Sequence, residues 1–278
     1  MEVVVKKRGR GRPSKAPLGE VPGLEPGTNL KEVKLNGFGV SEISKAQFKG
    51  YDLDGAWSLS LGKFVGKGFS ALIWGKPKSG KSHHVNALAK YLTRFVKRGG
   101  GVVYYNSAEQ GKVPTVQGMV LRQGFEGYEG LITWGNRETW AQLLARLEGR
   151  NPPPFVFIDS IDKMGLTKAQ IDWLLRRYPT THFYFITQCY GKQPAQKWVG
   201  TYLRHEVDAT CYVEDFIAHW ESRYEGGEPY VIWREGAMRR GALKVEAGHE
   251  VVVNDKPLAA ILDEDDAGQA PATGVDTN

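Results

Sequence analysis

The sequence predicts an α/β fold in which helices cover both faces of a mostly parallel sheet. From Phe69 onward, short apolar runs rich in β-branched and aromatic residues alternate with helical patterns, which is the order that a parallel sheet requires. A Gly-rich loop joins one of these runs to the helix after it. After Val207 the pattern changes to strands alone, and we expect them to form an antiparallel C-terminal extension of the same sheet.

The composition fits a globular protein with one large domain or two small ones. The chain has 278 residues, of which 41% are hydrophobic and 24% are charged. No apolar run approaches the roughly 18 residues of a membrane helix, and three valines before a basic cluster do not make a signal peptide. The two cysteines, Cys189 and Cys211, cannot build a disulfide framework. We therefore expect no membrane partner and a reducing, cytoplasmic compartment, with association to the nucleoid if the protein binds DNA.

The two ends of the chain carry opposite charge. Residues 1–16 hold six basic side chains and one acidic one, whereas residues 263–278 hold five acidic side chains and no basic one. Prolines and glycines interrupt the first 30 residues, which have no helix or strand periodicity. We expect a disordered basic arm and linker over 1–34, one domain over 35–262 and a disordered acidic tail over 263–278.

Five apolar runs supply the expected strands of the sheet: SALIW (70–74), VVYYN (102–106), LITW (131–134), FVFID (155–159) and HFYFIT (182–187). Apolar residues at helical spacing from Val85 to Val96 predict the helix after the Gly-rich loop, with glycines 99–101 as its stop. Thr167 and Gln170 have the spacing of a capping box, which predicts a helix that continues through Tyr178.

The strongest motif is a phosphate-binding loop. Its sequence fits G-x-x-x-x-G-K-[ST], directly after the strand ALIW and before a helix. The matching residues are Gly75, Lys76, Pro77, Lys78, Ser79, Gly80, Lys81 and Ser82. Backbone N–H groups of such a loop and the start of the following helix face the phosphates. We expect ATP to bind here, with Lys81 at the β and γ phosphates and Ser82 on Mg²⁺.

Three polar residues that follow other strands are expected to complete the site. Asp159 closes FVFID as a Walker B carboxylate does, and it would hold Mg²⁺; the alternative is a cap on the next turn. Ser160 follows it, where many nucleotide hydrolases have a glutamate as general base. Glu109, a few residues after VVYYN, is therefore the candidate to activate water. Gln188 closes the next strand, where its amide can bond a γ-phosphate. Solvated surface roles are the alternative for Glu109 and Gln188.

In this order the residues resemble the RecA-like core ATPases, the class of RecA, RadA, KaiC and DnaB. The resemblance covers residues 55–250 and implies ATP hydrolysis at subunit interfaces of a ring or filament. The stretch from Lys197 to Glu214 is similar to the helix and strand after the second DNA loop of RecA and RadA. The sequence lacks a long second loop, a zinc finger and a helical N-terminal domain. In size it is similar to the RecA cores that phages encode for recombination.

The stretch PYVIWREGAMRRGAL resembles the strand and basic turn that reach the neighbouring subunit's nucleotide in DnaB, KaiC and RadA. On that resemblance Arg239 and Arg240 occupy the position of an arginine finger, and Arg234 is a further candidate. We expect a homo-oligomer in which either arginine acts on the next subunit's nucleotide.

The basic arm contains R-G-R-P and resembles an AT-hook. Arg10 and Arg12 would lie in a narrow A·T-rich minor groove. Gly11 would avoid its wall, Pro13 would keep the chain extended, and Arg8 would contact the backbone. The alternative is a basic tail without sequence preference. Lys192 and Lys197 are a second candidate DNA surface, where the domain would bind single strands. Solvated loop lysines are the simpler interpretation of these two residues.

Taken together, these features predict an ATP-dependent DNA-binding protein in recombination, repair or replication of a phage or mobile element. A ring helicase or translocase is one alternative, and a nucleotide-switched DNA-binding scaffold with incidental turnover is another. A small-molecule kinase fits less well, because the pattern contains no recognisable lid or acceptor pocket.

Overall fold

The computed structural model describes residues 37–97, 100–194, 197–246 and 249–253. The basic arm, with Arg8, Arg10, Gly11, Arg12 and Pro13, and the acidic tail lie outside these ranges. The chain divides into two compact units, one that ends at Gln47 and one that begins at Phe48. In the first unit the structure describes helix α1 (Val40–Lys45). None of the helices in the described ranges has the length and apolar character needed to cross a membrane.

A large, mostly parallel sheet forms the centre of the second unit. A small antiparallel pair, β1 (Gly50–Asp52) and β2 (Phe64–Gly66), precedes it. In chain order, the strands of the large sheet are β3 (Ser70–Gly75), β4 (Val103–Ser107), β5 (Ile132–Asn136), β6 (Phe155–Asp159), β7 (His182–Tyr190), β8 (Gln193–Pro194), β9 (Ala209–Glu214), β10 (Ile217–Ser222) and β11 (Tyr230–Val231). Their spatial order is β11-β10-β9-β3-β7-β6-β4-β5, and β8 pairs with β7.

Helices connect these strands and cover the sheet. In chain order they are α2 (Gly55–Leu61), α3 (Lys81–Leu92), α4 (Pro114–Arg122), α5 (Trp140–Leu147), α6 (Ile161–Met164), α7 (Lys168–Arg177), α8 (Lys197–Glu206) and α9 (Arg234–Arg239). A final antiparallel pair, β12 (Leu243–Glu246) and β13 (His249–Val252), follows α9.

Alternate side chains of the central strands enter two separate cores. In β3, Ala71 and Ile73 pack in the core that contains residues of α3, whereas Leu72 and Trp74 pack in the core that contains residues of α5, α7 and α8. Because successive strand side chains point to opposite faces, a strand covered by helices on both faces is apolar throughout. All six residues of β3 are buried. The predicted sheet with helices on both faces is therefore confirmed.

The C-terminal part differs in three ways from the expected run of antiparallel strands. First, β9 is parallel to β3, and the antiparallel extension consists of β10 and β11. Second, the expected strand and basic turn of PYVIWREGAMRRGAL is a two-residue strand followed by α9. Third, β12 and β13 form a sheet of their own. Ala237 of α9 packs with Ile217 and Leu243, and this local core favours a helical turn over continued pairing with β10.

Two element boundaries also differ from the expected ones. Helix α3 ends at Leu92 and continues as a single 3-10 turn, Thr93–Phe95. Strand β7 extends to Tyr190, beyond the expected end at Thr187. The capping box of α7 is present as predicted: the Thr167 Oγ1 accepts from the N–H of Gln170 at 3.3 Å, and the Gln170 Oε1 accepts from the N–H of Thr167 at 2.9 Å.

We expect Thr167→Ala to lower the free energy of unfolding by about 1 kcal/mol, because it removes the side-chain acceptor of the capping box. Thr167 is exposed, so no core packing is lost. Thr167→Ser keeps the hydroxyl and should unfold like the parent. Urea denaturation of the three proteins measures the difference, and an equal loss in the serine variant would contradict the cap.

Candidate functional site

The phosphate-binding loop connects β3 to α3, and its backbone conformation depends on glycine at two positions. A Cβ on Gly75 would lie 2.3 Å from the carbonyl oxygen of Val213 in β9, which no larger residue could tolerate without a shift. Gly80 has a φ of 100° and is the N-cap residue of α3, a conformation that glycine adopts without steric cost. The last residues of the loop therefore continue directly into the first turn of the helix, where backbone N–H groups have no hydrogen-bond partner within the helix.

A cavity of about 380 Å³ lies over this loop. Loop residues 76–78 and 80–82 line it together with Glu109, Gln188 and Phe216. Two of the three polar residues expected to complete the site, Glu109 and Gln188, thus line the same cavity as Lys81 and Ser82, whereas Asp159 is not among its lining residues. They come from the carboxyl ends of β4 and β7, the edge at which α/β proteins bind ligands.

Lys81 holds a buried ammonium group at the base of the cavity. Its side chain is 9% exposed, and its Nζ donates to the carbonyl oxygen of Thr187 at 2.8 Å. Burial lowers the pKa of Lys81, whereas the negative charges of Asp159 and Glu109 act to raise it. An anion in the cavity would add to these compensating charges, because Lys81 has no carboxylate within ion-pair distance among the described residues.

Asp159 is held by a tyrosine that the sequence analysis did not identify. The Tyr105 hydroxyl donates to the Asp159 Oδ2 at 2.5 Å. Burial raises the pKa of the Asp159 carboxyl above its ordinary value, while the hydrogen bond from Tyr105 and the charge of Lys81 act in the opposite direction. The Asp159–Ser160 peptide bond is cis. Ser160 is the N-cap residue of α6, and its Oγ accepts from the N–H of Lys163.

Glu109 and Gln188 are in direct contact. The Gln188 Nε2 donates to the Glu109 Oε1 at 3.0 Å, and the Glu109 N–H donates to the carbonyl oxygen of Asp159 at 3.0 Å. Glu109 is thereby fixed at both its backbone and its side chain. The Glu109 carboxylate is therefore held at one position at the edge of the cavity over the phosphate-binding loop.

Asp162 is a further acidic residue that the sequence analysis missed. Its Oδ2 accepts from the Thr187 hydroxyl and from the N–H of Gln188, the latter at 3.4 Å. Its Oδ1 is buried without a hydrogen-bond partner among the described residues. The available signal was its place three residues after Asp159. Asp162 holds the end of β7, from which both Gln188 and the carbonyl acceptor of Lys81 project.

The residues of the site fit a nucleotide with its magnesium ion. Mg²⁺ in such sites is bound by one or two protein oxygens together with phosphate oxygens and water. Ser82 lines the cavity, whereas Asp159 is not among the residues that line it. The negative charge of Asp159 nevertheless acts to raise the pKa of Lys81. In the described part of the chain no group of three His, Cys, Asp or Glu side chains could hold a metal ion. Ser82 and Asp159 are the residues that would hold Mg²⁺ beside a bound triphosphate.

The candidate finger arginines lie outside this cavity. Arg239 and Arg240 are exposed at the end of α9, and among the described residues neither lines the cavity. The Arg239 guanidinium is 5.6 Å from the centre of the Trp233 ring. Arg234, the further candidate, forms an ion pair with Glu250.

Phe216 joins the phosphate-binding loop to α9. It lies in the turn between β9 and β10 with a φ of 65°, after Asp215 with a φ of 45°. Its N–H donates to the carbonyl oxygen of Ser79 at 3.0 Å, and its own carbonyl accepts from Ile232 at 2.8 Å. A Cβ added to Gly80 would lie 3.1 Å from one edge of its ring, and one added to Gly236 would lie 2.8 Å from the other. The sequence contained no signal for this arrangement.

The fold and this loop define the class of α/β proteins with a phosphate-binding loop between a central strand and the helix after it. No protein-family model and no curated protein matches the chain in sequence. Among solved structures it is similar to the flagellar accessory protein FlaH of Methanocaldococcus jannaschii, with a TM-score of 0.49 and 15% identity over 66% of this chain and 97% of that one. A KaiC-like protein of Pyrococcus horikoshii gives a TM-score of 0.49 and 13% identity over 74% of this chain and 100% of that one. At these values we conclude nothing about activity from either protein.

Substitutions at Phe216 should reveal its left-handed backbone. That conformation costs a residue with a Cβ about 1–2 kcal/mol, whereas glycine adopts it without this cost. We therefore expect Phe216→Gly to be more stable than Phe216→Ala by about 1 kcal/mol, measured by urea denaturation. Leu121, exposed on α4, is the control position, where alanine should be the more stable of the two because the backbone is helical. The same order at both positions would contradict the strained turn.

Proposed function

We propose that this protein is a magnesium-dependent ATP hydrolase that works on DNA. One observation carries the hydrolase part: the loop lysine and serine, a fixed carboxylate and an amide line a single cavity. The resemblance of the sequence motifs to RecA-like ATPases supports ATP as the nucleotide, and on that resemblance we propose a role in recombination, repair or replication of a phage or mobile element.

Each residue then has a chemical role. The Lys81 ammonium and the loop N–H groups stabilise the charge of the phosphates. Glu109 accepts a proton from the attacking water, because Ser160 cannot act as a base beside Asp159. Gln188 bonds Glu109 and so orients its carboxylate. Mg²⁺, held by Ser82 and Asp159, supplies charge neutralisation at the phosphate oxygens.

Glu109→Gln is expected to retain ATP binding and to lose turnover by about 10² or more, because the amide cannot accept the proton of water.

Lys81→Ala is expected to lose binding or turnover, since the phosphate charge is left without its ammonium. Calorimetric titration with Mg-ATP and a steady-state phosphate-release assay measure the two effects.

Unchanged hydrolysis in Lys81→Ala would contradict the assignment of this cavity as the nucleotide site. Unchanged hydrolysis in Glu109→Gln alone would leave the site in place and assign the base to another residue. Arg176→Ala, on the exposed last turn of α7, is the control for a loss of charge without a role in the cavity.

We further propose that the active site is shared between two copies of the chain. Arg239 and Arg240 are exposed and lie outside the cavity of their own chain. The resemblance places them at the arginine finger of a neighbouring subunit, whose charge stabilises the transferred phosphoryl group. A ring or a filament would satisfy this requirement.

Complementation tests the shared site. Lys81→Ala and the double variant Arg239→Ala, Arg240→Ala should each be inactive, because an arginine finger contributes about 10³ or more in rate. A mixture of the two should recover part of the ATPase activity, since some interfaces then join an intact loop to intact arginines. Light scattering confirms that mixed oligomers form. If they form and remain inactive, the site is not shared in this way.

The DNA partner is proposed from the basic arm. Arg10 and Arg12 flank Gly11 in an AT-hook-like sequence, and guanidinium groups favour narrow A·T-rich minor grooves. The arm would act as a tethered second module that raises the local concentration of duplex at the ATPase domain.

Arg10→Lys with Arg12→Lys should abolish a preference for A·T-rich over G·C-rich duplexes while general affinity is largely kept, because charge is preserved and the flat guanidinium is lost.

Deletion of residues 1–16 should weaken duplex binding and lower its salt dependence by about 0.9 in the log–log slope for each lost phosphate contact. Fluorescence anisotropy at several salt concentrations measures both. Equal affinity of the parent for the two duplexes would reduce the arm to a basic tail.

A further inference from the structure

A second and larger cavity lies beside the nucleotide site. It is an open groove of about 690 Å³ between α3 and the segment that follows α4. One wall is formed by α3 and the 3-10 turn after it, and the other by Arg122, Gln123, Tyr128 and Leu131. The ATPase function proposed above makes no use of this groove.

The first wall is a single stripe along α3 and the 3-10 turn that continues it. It consists of His83, Ala87, Lys90, Tyr91 and Arg94, whose spacings of three and four residues place them on one face. At a rise of 1.5 Å per residue the stripe is about 16 Å long. It begins two residues after Lys81, so the groove starts where the phosphate-binding loop ends.

The charge of the groove is positive. Lys90, Arg94 and Arg122 line it, and no Asp or Glu is among its lining residues in the described part of the chain. Arg94 is paired with Asp54 next to the groove. Lys90 donates to the carbonyl oxygens of Gln123 and Gly124 at 2.7 and 2.8 Å. These acceptors carry no full charge, so the ammonium charge of Lys90 is not neutralised by an acid.

Flat surfaces accompany these charges. The Lys90 Nζ is 4.9 Å from the centre of the Tyr128 ring, and the Arg94 guanidinium is 5.1 Å from the centre of the Tyr91 ring. Each cation covers one face of its ring, so the flat surface that remains for an unpaired base is the Arg94 guanidinium. Unpaired bases stack on such guanidinium planes while neighbouring cations neutralise the phosphates. Double-stranded nucleic acid does not expose the faces of its bases in this way.

The groove and the cavity over the phosphate-binding loop share one lining residue, His83. The Gln123 Nε2 donates to the carbonyl oxygen of His83 at 3.0 Å and ties the second wall to the first turn of α3. Arg122 is close enough to His83 that its positive charge, after burial, helps to lower the pKa of that imidazole.

We propose that this groove binds a single strand of nucleic acid, with phosphates at Arg122 and Lys90 and a base against the Arg94 guanidinium, beside Tyr91 and Tyr128. The proposal deepens the DNA-binding part of the function above and does not depend on the ATPase part. It assigns single strands to α3 and α4, in place of the loop lysines Lys192 and Lys197 considered from the sequence.

The test is charge reversal at Arg122 with a matched control. Arg122 and Arg176 are both exposed and both lie in the last turn of a helix, α4 and α7 respectively. Arg122→Glu and Arg176→Glu therefore change the same charge at the same kind of position, whereas α7 packs in the core on the opposite face of the sheet from α3. Binding of a fluorescein-labelled oligodeoxythymidylate to the full chain is measured by anisotropy.

Arg122→Glu should weaken binding of the oligonucleotide tenfold or more and lower the salt slope by about 0.7 per lost contact. Arg176→Glu should bind within twofold of the parent. Both variants should bind Mg-ATP normally, which separates this result from the nucleotide site. If either variant unfolds, Arg122→Gln and Arg176→Gln replace them. A photoreactive thiothymidine strand should crosslink to Tyr91 or Tyr128.

If the two variants bind the oligonucleotide with equal affinity and the crosslinks lie elsewhere, the groove is not the binding site. The proposal that the arm binds DNA is not affected by that result. Displacement of the oligonucleotide by an equal concentration of thymidine monophosphate would also overturn the groove proposal, because the groove would then be a site for free nucleotides. A parent protein that binds no oligodeoxythymidylate would overturn the groove, whereas the duplex partner of the arm is tested separately with A·T-rich and G·C-rich duplexes.

Discussion

The buried ammonium of Lys81 is the constraint around which the site is organised. Removing a charge from water costs several kcal/mol even after relaxation, and Lys81 is 9% exposed. The Thr187 carbonyl accepts a hydrogen bond from the ammonium, and the negative charges of Asp159 and Glu109 favour the charged form of Lys81. Those groups are themselves fixed, Asp159 by Tyr105 and Glu109 by Gln188. The carboxyl ends of β4, β6 and β7 are thus joined by polar contacts that follow from one buried cation.

The parts of the molecule that sequence predicted well are those where a local pattern has one structural meaning. Buried parallel strands are apolar without alternation, so β3 and β6 were recognisable as strands. The phosphate-binding loop has a fixed spacing because its backbone must curl around an anion. Glu109 and Gln188 were placed by the rule that ligands meet strand ends, and their contact at 3.0 Å joins two residues 79 positions apart in the chain.

The parts that were not predicted depend on contacts between distant residues. Helix α9 has six residues, too few for a periodicity, and it is stabilised by packing with Ile217 and Leu243. Tyr105 was one aromatic residue of an apolar strand, and only its partner Asp159 gives it a polar role. The positive φ of Phe216 contradicts the preference of a bulky side chain, so no reading of local propensity could have found that turn.

The ring of Phe216 lies between two glycines, Gly80 in the phosphate-binding loop and Gly236 in α9. A Cβ on Gly80 would lie 3.1 Å from the ring, and a Cβ on Gly236 would lie 2.8 Å from it. A side chain at either glycine would press the ring toward the other backbone. The three positions are therefore sterically coupled, so that a larger residue at one of them requires a shift or a smaller residue at another.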